Sequence, residues 1–175
     1  MAHETIVLGG GCFWCVEALY RRLDGVVDLE SGYAGGEMEN PTYQQVCTGE
    51  TGHAEVVRVT FNPDIISTRE IIDFFWQAHD PTTVNRQGAD IGPQYRSIIL
   101  YTVDRQRQVA EDSRSAAQSV FSNPIVTEIV PAGAFYAAEG YHQDFYEQNP
   151  RQGYCRMVIQ PKLKKLGFDS AVISE

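Results

Sequence analysis

The sequence predicts a single two-layer α+β domain, and three observations carry that reading. Short apolar runs of strand length are mixed with stretches of helical period. The spacings between runs are not those of hairpins. Over 175 residues, 43% hydrophobic and 11% aromatic residues supply enough apolar surface for one core without a disulfide or metal staple. The core is expected over about residues 5–160, with a short C-terminal helical tail over 161–175.

Each element has its own signature. Ile6-Val7-Leu8 is a strand-like run closed by Gly9-Gly10-Gly11, where the backbone must turn tightly. Phe13, Val16, Leu19, Tyr20 and Leu23 then recur at helical spacing, and Asp24-Gly25 ends the pattern. Residues 31–51 hold several glycines, Asn40-Pro41 and no sustained period, which predicts an ordered loop. His53 to Phe61 alternates as a strand does. Ser67 and Glu70 are spaced as a capping box for a helix carrying Ile71, Ile72, Phe74, Phe75 and Ala78, which stops near Asp80-Pro81. A polar loop over 85–93 precedes a strand from Ser97 to Val103, and Asp104 is placed to cap the polar helix that follows to about Phe121. Ile125 to Val130 reads as a strand, Met157-Val158-Ile159 as another, and Pro161 to Leu166 as a short helix. No repeat, low-complexity tract or linker interrupts the chain.

Composition excludes several function classes. The net charge is −9, and an acidic surface repels phosphate backbones and anionic lipids, so neither nucleic acid nor membrane is expected as a partner. Lys162, Lys164 and Lys165 are the one dense basic cluster and read as a solvated tail. No apolar run approaches the roughly 18 residues of a membrane span, and an acidic residue stands where a signal peptide wants positive charge. A cytoplasmic protein is expected. Its four cysteines, Cys12, Cys15, Cys47 and Cys155, lack the dense spacing of a secreted disulfide scaffold.

Gly9-Gly10-Gly11-Cys12-Phe13-Trp14-Cys15 is the densest chemical motif. A phosphate-cradling turn is disfavoured because Phe13 and Trp14 stand where such a loop needs small residues. A cysteine at a helix start is biased toward thiolate by the free amides and the dipole, which makes Cys12 a nucleophile candidate rather than filler under the turn. Cys15, one helical turn on, is within disulfide reach and can be a resolving thiol. Zinc is the competing use of this pair, with Cys47, Cys155, His53, His79 or His142 as completing ligands, but a second close ligand pair is missing. No metal site is expected, and Cys47 reads as a bystander.

Parity supplies the second motif. In the strand from His53, Glu55 shares a face with Val57, Val59 and Phe61. If that face is the core face, desolvation raises the carboxyl pKa and Glu55 can donate a proton near neutral pH. The bland reading is a Glu at an exposed strand end, or one paired with Arg58 or Arg96. The loops add Asp90, Tyr95 and Tyr43, and a tyrosine hydroxyl can donate to an oxygen that gains charge.

These residues bring a family into view. Gly11-Cys12-Phe13-Trp14, Gly32-Tyr33-Ala34-Gly35-Gly36, Asn40-Pro41-Thr42-Tyr43, Thr51-Gly52-His53-Ala54-Glu55, His79-Asp80-Pro81, Arg86 to Gly92, Gln94-Tyr95-Arg96-Ser97 and Tyr141-His142-Gln143 resemble, in order, the A-type peptide methionine sulfoxide reductases. The resemblance implies an α+β sandwich with a ferredoxin-like core and long ordered loops. It also implies reduction of the S epimer of methionine sulfoxide, free or in oxidised proteins, with thioredoxin or another dithiol as reductant and no metal or organic cofactor. By it Cys12 corresponds to the nucleophile and Glu55 to the acid that protonates the sulfoxide oxygen. Tyr43 and Tyr95 correspond to phenols that hold that oxygen, Asp90 to a residue ordering the site, and Phe13 with Trp14 to the pocket for the substrate methyl group. Many relatives carry glycine at the position of Cys15, and many carry a resolving cysteine at that of Cys155. The sulfenic acid left on Cys12 is therefore expected to be resolved by Cys15, Cys155 or both. A monomer is expected. A thioredoxin-type disulfide reductase and a zinc-binding module are the competing functions.

Overall fold

The computed structural model describes residues 2–168. A six-stranded sheet carries the domain, built from β1 (Glu4–Gly9), β2 (Val26–Ala34), β3 (Ala54–Phe61), β6 (Ile98–Tyr101), β7 (Glu128–Pro131) and β8 (Phe135–Ala137) in the order β7-β6-β1-β3-β2-β8. β4 (Arg86–Gln87) and β5 (Asp90–Ile91) form a separate two-stranded ribbon. The pair β6/β7 is parallel and the other main-sheet pairs are antiparallel. The helices are α1 (Phe13–Tyr20), α2 (Tyr43–Cys47), α3 (Thr68–Ala78), α4 (Asp104–Ala117), α5 (Phe145–Gln148) and α6 (Gln160–Lys165). Within this set β1-α1-β2 and β3-α3-β6 are two split crossovers with central strand order β6-β1-β3-β2, the ferredoxin-like arrangement.

Strand alternation decides the layers. Ile6 and Leu8 of β1, Val57, Val59 and Phe61 of β3 and Ile99 of β6 join Val16 and Leu19 of α1 and Ile71, Ile72 and Phe75 of α3 in the main core. Val7, Ala34, Ala54, Val56, Ile98 and Leu100 make a smaller apolar cluster on the opposite face. α3 starts as its residues predict. Ser67 and Glu70 exchange side-chain-to-amide bonds of 3.0 Å each way, a capping box in which the cap itself contributes about 1 kcal/mol.

Five sequence readings need correction. Val26–Ala34 is a strand, although Ser31 onward reads as loop, because it pairs with β3 along its length and with β8 at its end. Met157-Val158-Ile159 lies in a π-helical turn, Cys155–Ile159, that runs into α6. Asp104 is the first residue inside α4 and Val103 occupies the cap, with no side-chain capping bond. The C-terminal segment is not simply a tail: Leu163 of α6 is 0% exposed and belongs to the main core. Residues 169–175 of the expected helical tail lie outside the described residues. The expected first helix also stops at Tyr20, short of Leu23.

Candidate active site

The glycine turn after β1 aims the start of α1 at β3. Gly11 has φ of 88°, the left-handed region open to glycine, and a Cβ on Gly10 would stand 2.8 Å from the His79 ring. His79 is itself a structural histidine. It bonds the Phe75 carbonyl at Nδ1 (2.8 Å) and Ser97 Oγ at Nε2 (2.7 Å), and burial pushes its pKa down to about 4.

Cys12 is the N-cap of α1, and its carbonyl accepts from the amides of Cys15 (3.1 Å) and Val16 (3.4 Å). The next amide, Phe13 N–H, donates to Oε1 of Glu55 at 3.1 Å. The acceptor at this helix start is thus a carboxyl group supplied from β3. Parity is realised: Glu55 is 1% exposed on the core face, and its Oε2 has no partner. Neither cation of the bland reading reaches it, since Arg58 pairs with Glu30 and Arg96 with Glu128.

Burial therefore controls the carboxyl. It pushes the Glu55 pKa up to about 8, opposed by the Phe13 amide, reinforced by the charge of Asp90 and opposed again by the Cys12 thiol. At neutral pH the group is mostly a protonated acid with a free oxygen facing the thiol. Cys12 departs from expectation. One helix-start amide, that of Trp14, does favour its thiolate, but burial, Glu55 and Cys15 together push the thiol well above the usual thiol range. The Cys12 side chain rests as a neutral thiol and is 9% exposed.

The two loop phenols join this pair. Tyr43, the first residue of α2, and Tyr95, in the short turn before β6, are half-buried. Burial and the charge of Glu55 raise both phenols above their ordinary range, and Tyr95 also senses Asp90 and Cys12. Both remain hydrogen-bond donors at any physiological pH. The carbonyl of Tyr95 accepts from Gly11 N–H at 3.2 Å, which ties the loop to the glycine turn. Asp90, at the start of β5, accepts from the Tyr154 hydroxyl at 2.7 Å, and that hydroxyl lies 3.8 Å from the sulfur of Cys15.

The aromatic residues after Cys12 separate. Phe13 is 0% exposed and packs on Tyr33 and His142. Trp14 is half-buried, stacked flat on Phe145 with centroids 3.7 Å apart, and its indole N–H donates to His142 Nδ1 at 3.1 Å. Cys15 and Cys155 are both buried, at 2% and 0% exposure. Burial raises both thiols. Lys162 and the Tyr154 hydroxyl favour the thiolate of Cys15, while Cys155, raised to about 11, has Cys15 and Glu147 as its charged neighbours. All four cysteines are free thiols.

Sequence reasoning missed two contributors. Tyr154, the residue before Cys155, joins Asp90 to Cys15. Glu139 accepts from the Tyr33 hydroxyl and the Tyr43 amide at 2.9 Å each, and nothing in its local sequence marks it. Cys47, read as a bystander, is exposed at the end of α2. Among the described residues no group of three or more His, Cys, Asp and Glu side chains is disposed to hold a metal ion. A cavity of about 660 Å³ lined by residues including Trp76, His79, Phe121 and Lys162 contains none of the candidate site side chains.

Residues 4–171 match the family described as peptide methionine sulfoxide reductase. The peptide methionine sulfoxide reductase MsrA of Sulfolobus acidocaldarius is 53% identical over 162 residues, covering 93% of this chain and 92% of its own. Among solved structures, Mxr1 of Saccharomyces cerevisiae in reduced form superposes with a TM-score of 0.84 at 40% identity, covering 87% of this chain and 89% of that one. The same yeast protein in complex with Trx2 gives a TM-score of 0.60 at 31% identity, covering 82% and 84%. With this site and this extent of similarity, the chain belongs to the peptide methionine sulfoxide reductase family.

Proposed function

We propose that this enzyme reduces the S epimer of methionine sulfoxide with Cys12 as nucleophile and Glu55 as acid. One observation carries the assignment: a buried carboxyl, protonated at neutral pH, is fixed by the Phe13 amide beside the thiol at the start of α1. The Cys12 sulfur attacks the sulfoxide sulfur while Glu55 gives its proton to the oxygen, and Tyr43 and Tyr95 donate to that oxygen as it gains charge. The oxygen passes to Cys12. Thiol plus sulfoxide become sulfenic acid plus methionine thioether, so atoms and electrons balance. A neutral resting thiol suits this order of events, because the thiolate need form only when substrate fills the cleft and the proton can leave.

Trp14, stacked on Phe145, forms the wall for the substrate methyl group, where sulfur–aromatic contact and shape favour it. Asp90 orders the Tyr154 hydroxyl next to Cys15. We assign resolution to Cys15 first, since it stands one helical turn from Cys12 with the Tyr154 hydroxyl 3.8 Å from its sulfur. Its attack on the sulfenic sulfur releases water and leaves a Cys12–Cys15 disulfide, and Cys155 takes over by exchange. A dithiol protein then restores the thiols. The complex of yeast Mxr1 with Trx2 supports thioredoxin in that role, and the need for a reducing supply supports a cytoplasmic location. The chemistry draws on cysteine and carboxyl groups of one chain, so no metal or organic cofactor is assigned and a monomer suffices. No described helix is long and apolar enough to cross a membrane.

Turnover with separated epimers tests the reading. Methionine should form from the S sulfoxide and not from the R form. Equal rates with both, or disulfide reduction of insulin without sulfoxide reduction, would overturn it.

A further inference from the structure

The segment from Asn149 to Phe168, which carries Cys155, has a charge opposite to that of the protein. It holds five cations, Arg151, Arg156, Lys162, Lys164 and Lys165, and no Asp or Glu, in a chain whose net charge is −9. The three lysines are all the lysines of the chain. Seven of the nine arginines outside the segment form ion pairs, and among the described residues none of the five cations inside it does. Neighbouring like charges repel, so such a row is destabilising by itself and gains from an anionic partner.

Helical winding sorts the segment into faces. Cys155, Ile159 and Leu163, four residues apart, are each 0% exposed and turn into the core. Arg156 and Lys164 each follow one of these buried positions and are exposed, as is Arg151 in the turn before. Arg151, Arg156, Met157 and Gln160 border a surface hollow of about 440 Å³, and Met157 is 79% exposed. Lys162 and Lys165 line the other cavity, with Trp76 and Phe121. The outer side of the Cys155 turn thus surrounds an apolar side chain that adapts to many surfaces with positive charge.

Position selects the partner. To recycle the chain, a thiolate of the reductant attacks the Cys155 sulfur of the protein disulfide, and the reductant's second thiol then releases Cys155. Two electrons and two protons pass, so the reductant ends as a disulfide and this chain as thiols. A protein that reaches this sulfur has to lie against the side chains beside it. We propose that Arg151, Arg156 and Lys164, around Met157, form the docking surface for the dithiol reductant and select one that is acidic around its dithiol. This rests on the reading that Cys155 holds the disulfide to be reduced. Attraction between exposed charges speeds encounter and is screened by salt.

The test measures turnover of methionine S-sulfoxide by the whole chain with an acidic thioredoxin or with dithiothreitol, at low and high salt. The triple variant Arg151→Glu, Arg156→Glu, Lys164→Glu should raise KM for thioredoxin by about 10-fold or more at low salt, the scale of electrostatic steering. High salt should remove most of the difference. Turnover with dithiothreitol, the first equivalent of methionine and KM for the sulfoxide should stay as in the wild type. Reversing the acidic residues around the thioredoxin dithiol should restore its KM with the triple variant, a rescue that a structural role does not produce. If the triple variant does not fold, glutamine at the same three positions replaces glutamate. An unchanged KM for thioredoxin, an equal loss with dithiothreitol, or a rise in KM for an acidic sulfoxide peptide instead would overturn the docking surface alone. Wild-type turnover that dithiothreitol supports and thioredoxin does not, or full thioredoxin-dependent turnover by Cys155→Ser, would overturn the underlying reading and the docking surface with it.

Discussion

The two sides of the site are built differently. Cys12 and Glu55 stand on regular structure: β1, a glycine turn, α1 and the central strand β3, with the Phe13 amide joining them. The facing side, Glu139 to Ile159, is made of a short 3₁₀ turn, a left-handed Asp144 with φ of 52°, the four-residue α5 and a π turn. The contrast fits two tasks. Transfer of oxygen to sulfur needs a thiol and an acid fixed within a fraction of an ångström, which a sheet and a helix end supply. Resolution needs buried sulfurs to travel and then to meet a protein reductant, and short irregular elements open locally at lower free energy than a core strand.

Substitutions on the two sides should therefore fail in different ways. The largest effect belongs to the fixed side: Cys12→Ser should abolish methionine formation even in a single turnover without reductant, measured by chromatography of the product. Glu55→Gln comes next. Its single-turnover rate should fall by about 10²-fold or more, the scale of general acid catalysis. The ratio of wild-type to Glu55→Gln rates should shrink as pH rises through about 8, because only the wild-type acid is lost there. An unchanged ratio across that range would remove the acid role.

The two further thiols, Cys15 within α1 and Cys155 on the irregular side, should show the opposite split. Cys15→Ser and Cys155→Ser should each leave the first equivalent of methionine per chain intact and impair the turnovers that follow with thioredoxin. Mass mapping after one turnover should find a Cys12–Cys15 disulfide in Cys155→Ser. A link found only to Cys155 in the wild type would reverse the proposed order.

The smallest effect is on stability. Glu55 has a folded pKa of about 8 against an ordinary 4.5, so the folded state binds the extra proton between those values. Stability from this group is present below about pH 4.5 and is lost as pH rises to about 8. Glu55→Gln escapes that loss. Its melting temperature should therefore gain on that of the wild type as pH is raised from 5 to about 8.5, by several degrees on the scale of a few kcal/mol.

Several elements were legible because local rules and packing agree. The Ser67 to Glu70 box starts α3, and strand parity places Glu55 with Val57, Val59 and Phe61. β2 was illegible after Ser31 because Gly32, Gly35 and Gly36 read as loop. Pairing with β3 on one edge and β8 on the other overrides that weak local preference. Met157-Val158-Ile159 has a strand's composition, but it continues into α6, where Ile159 and Leu163 are buried, and helical winding places them in the core. Glu139 and Tyr154 were silent for a different reason. Their partners are Tyr43 and Asp90, each at least sixty-four residues away along the chain.

From the sequence alone follow the cysteine at a strand-to-helix junction, the acid on the inward face of its strand, the aromatic neighbours and the family. Only the tertiary structure decided their protonation. The free amides of a helix start are a local feature and favour a thiolate at Cys12, whereas desolvation sums over side chains brought from the whole chain. At this junction desolvation outweighs the dipole, so both the thiol and the acid rest with their protons on.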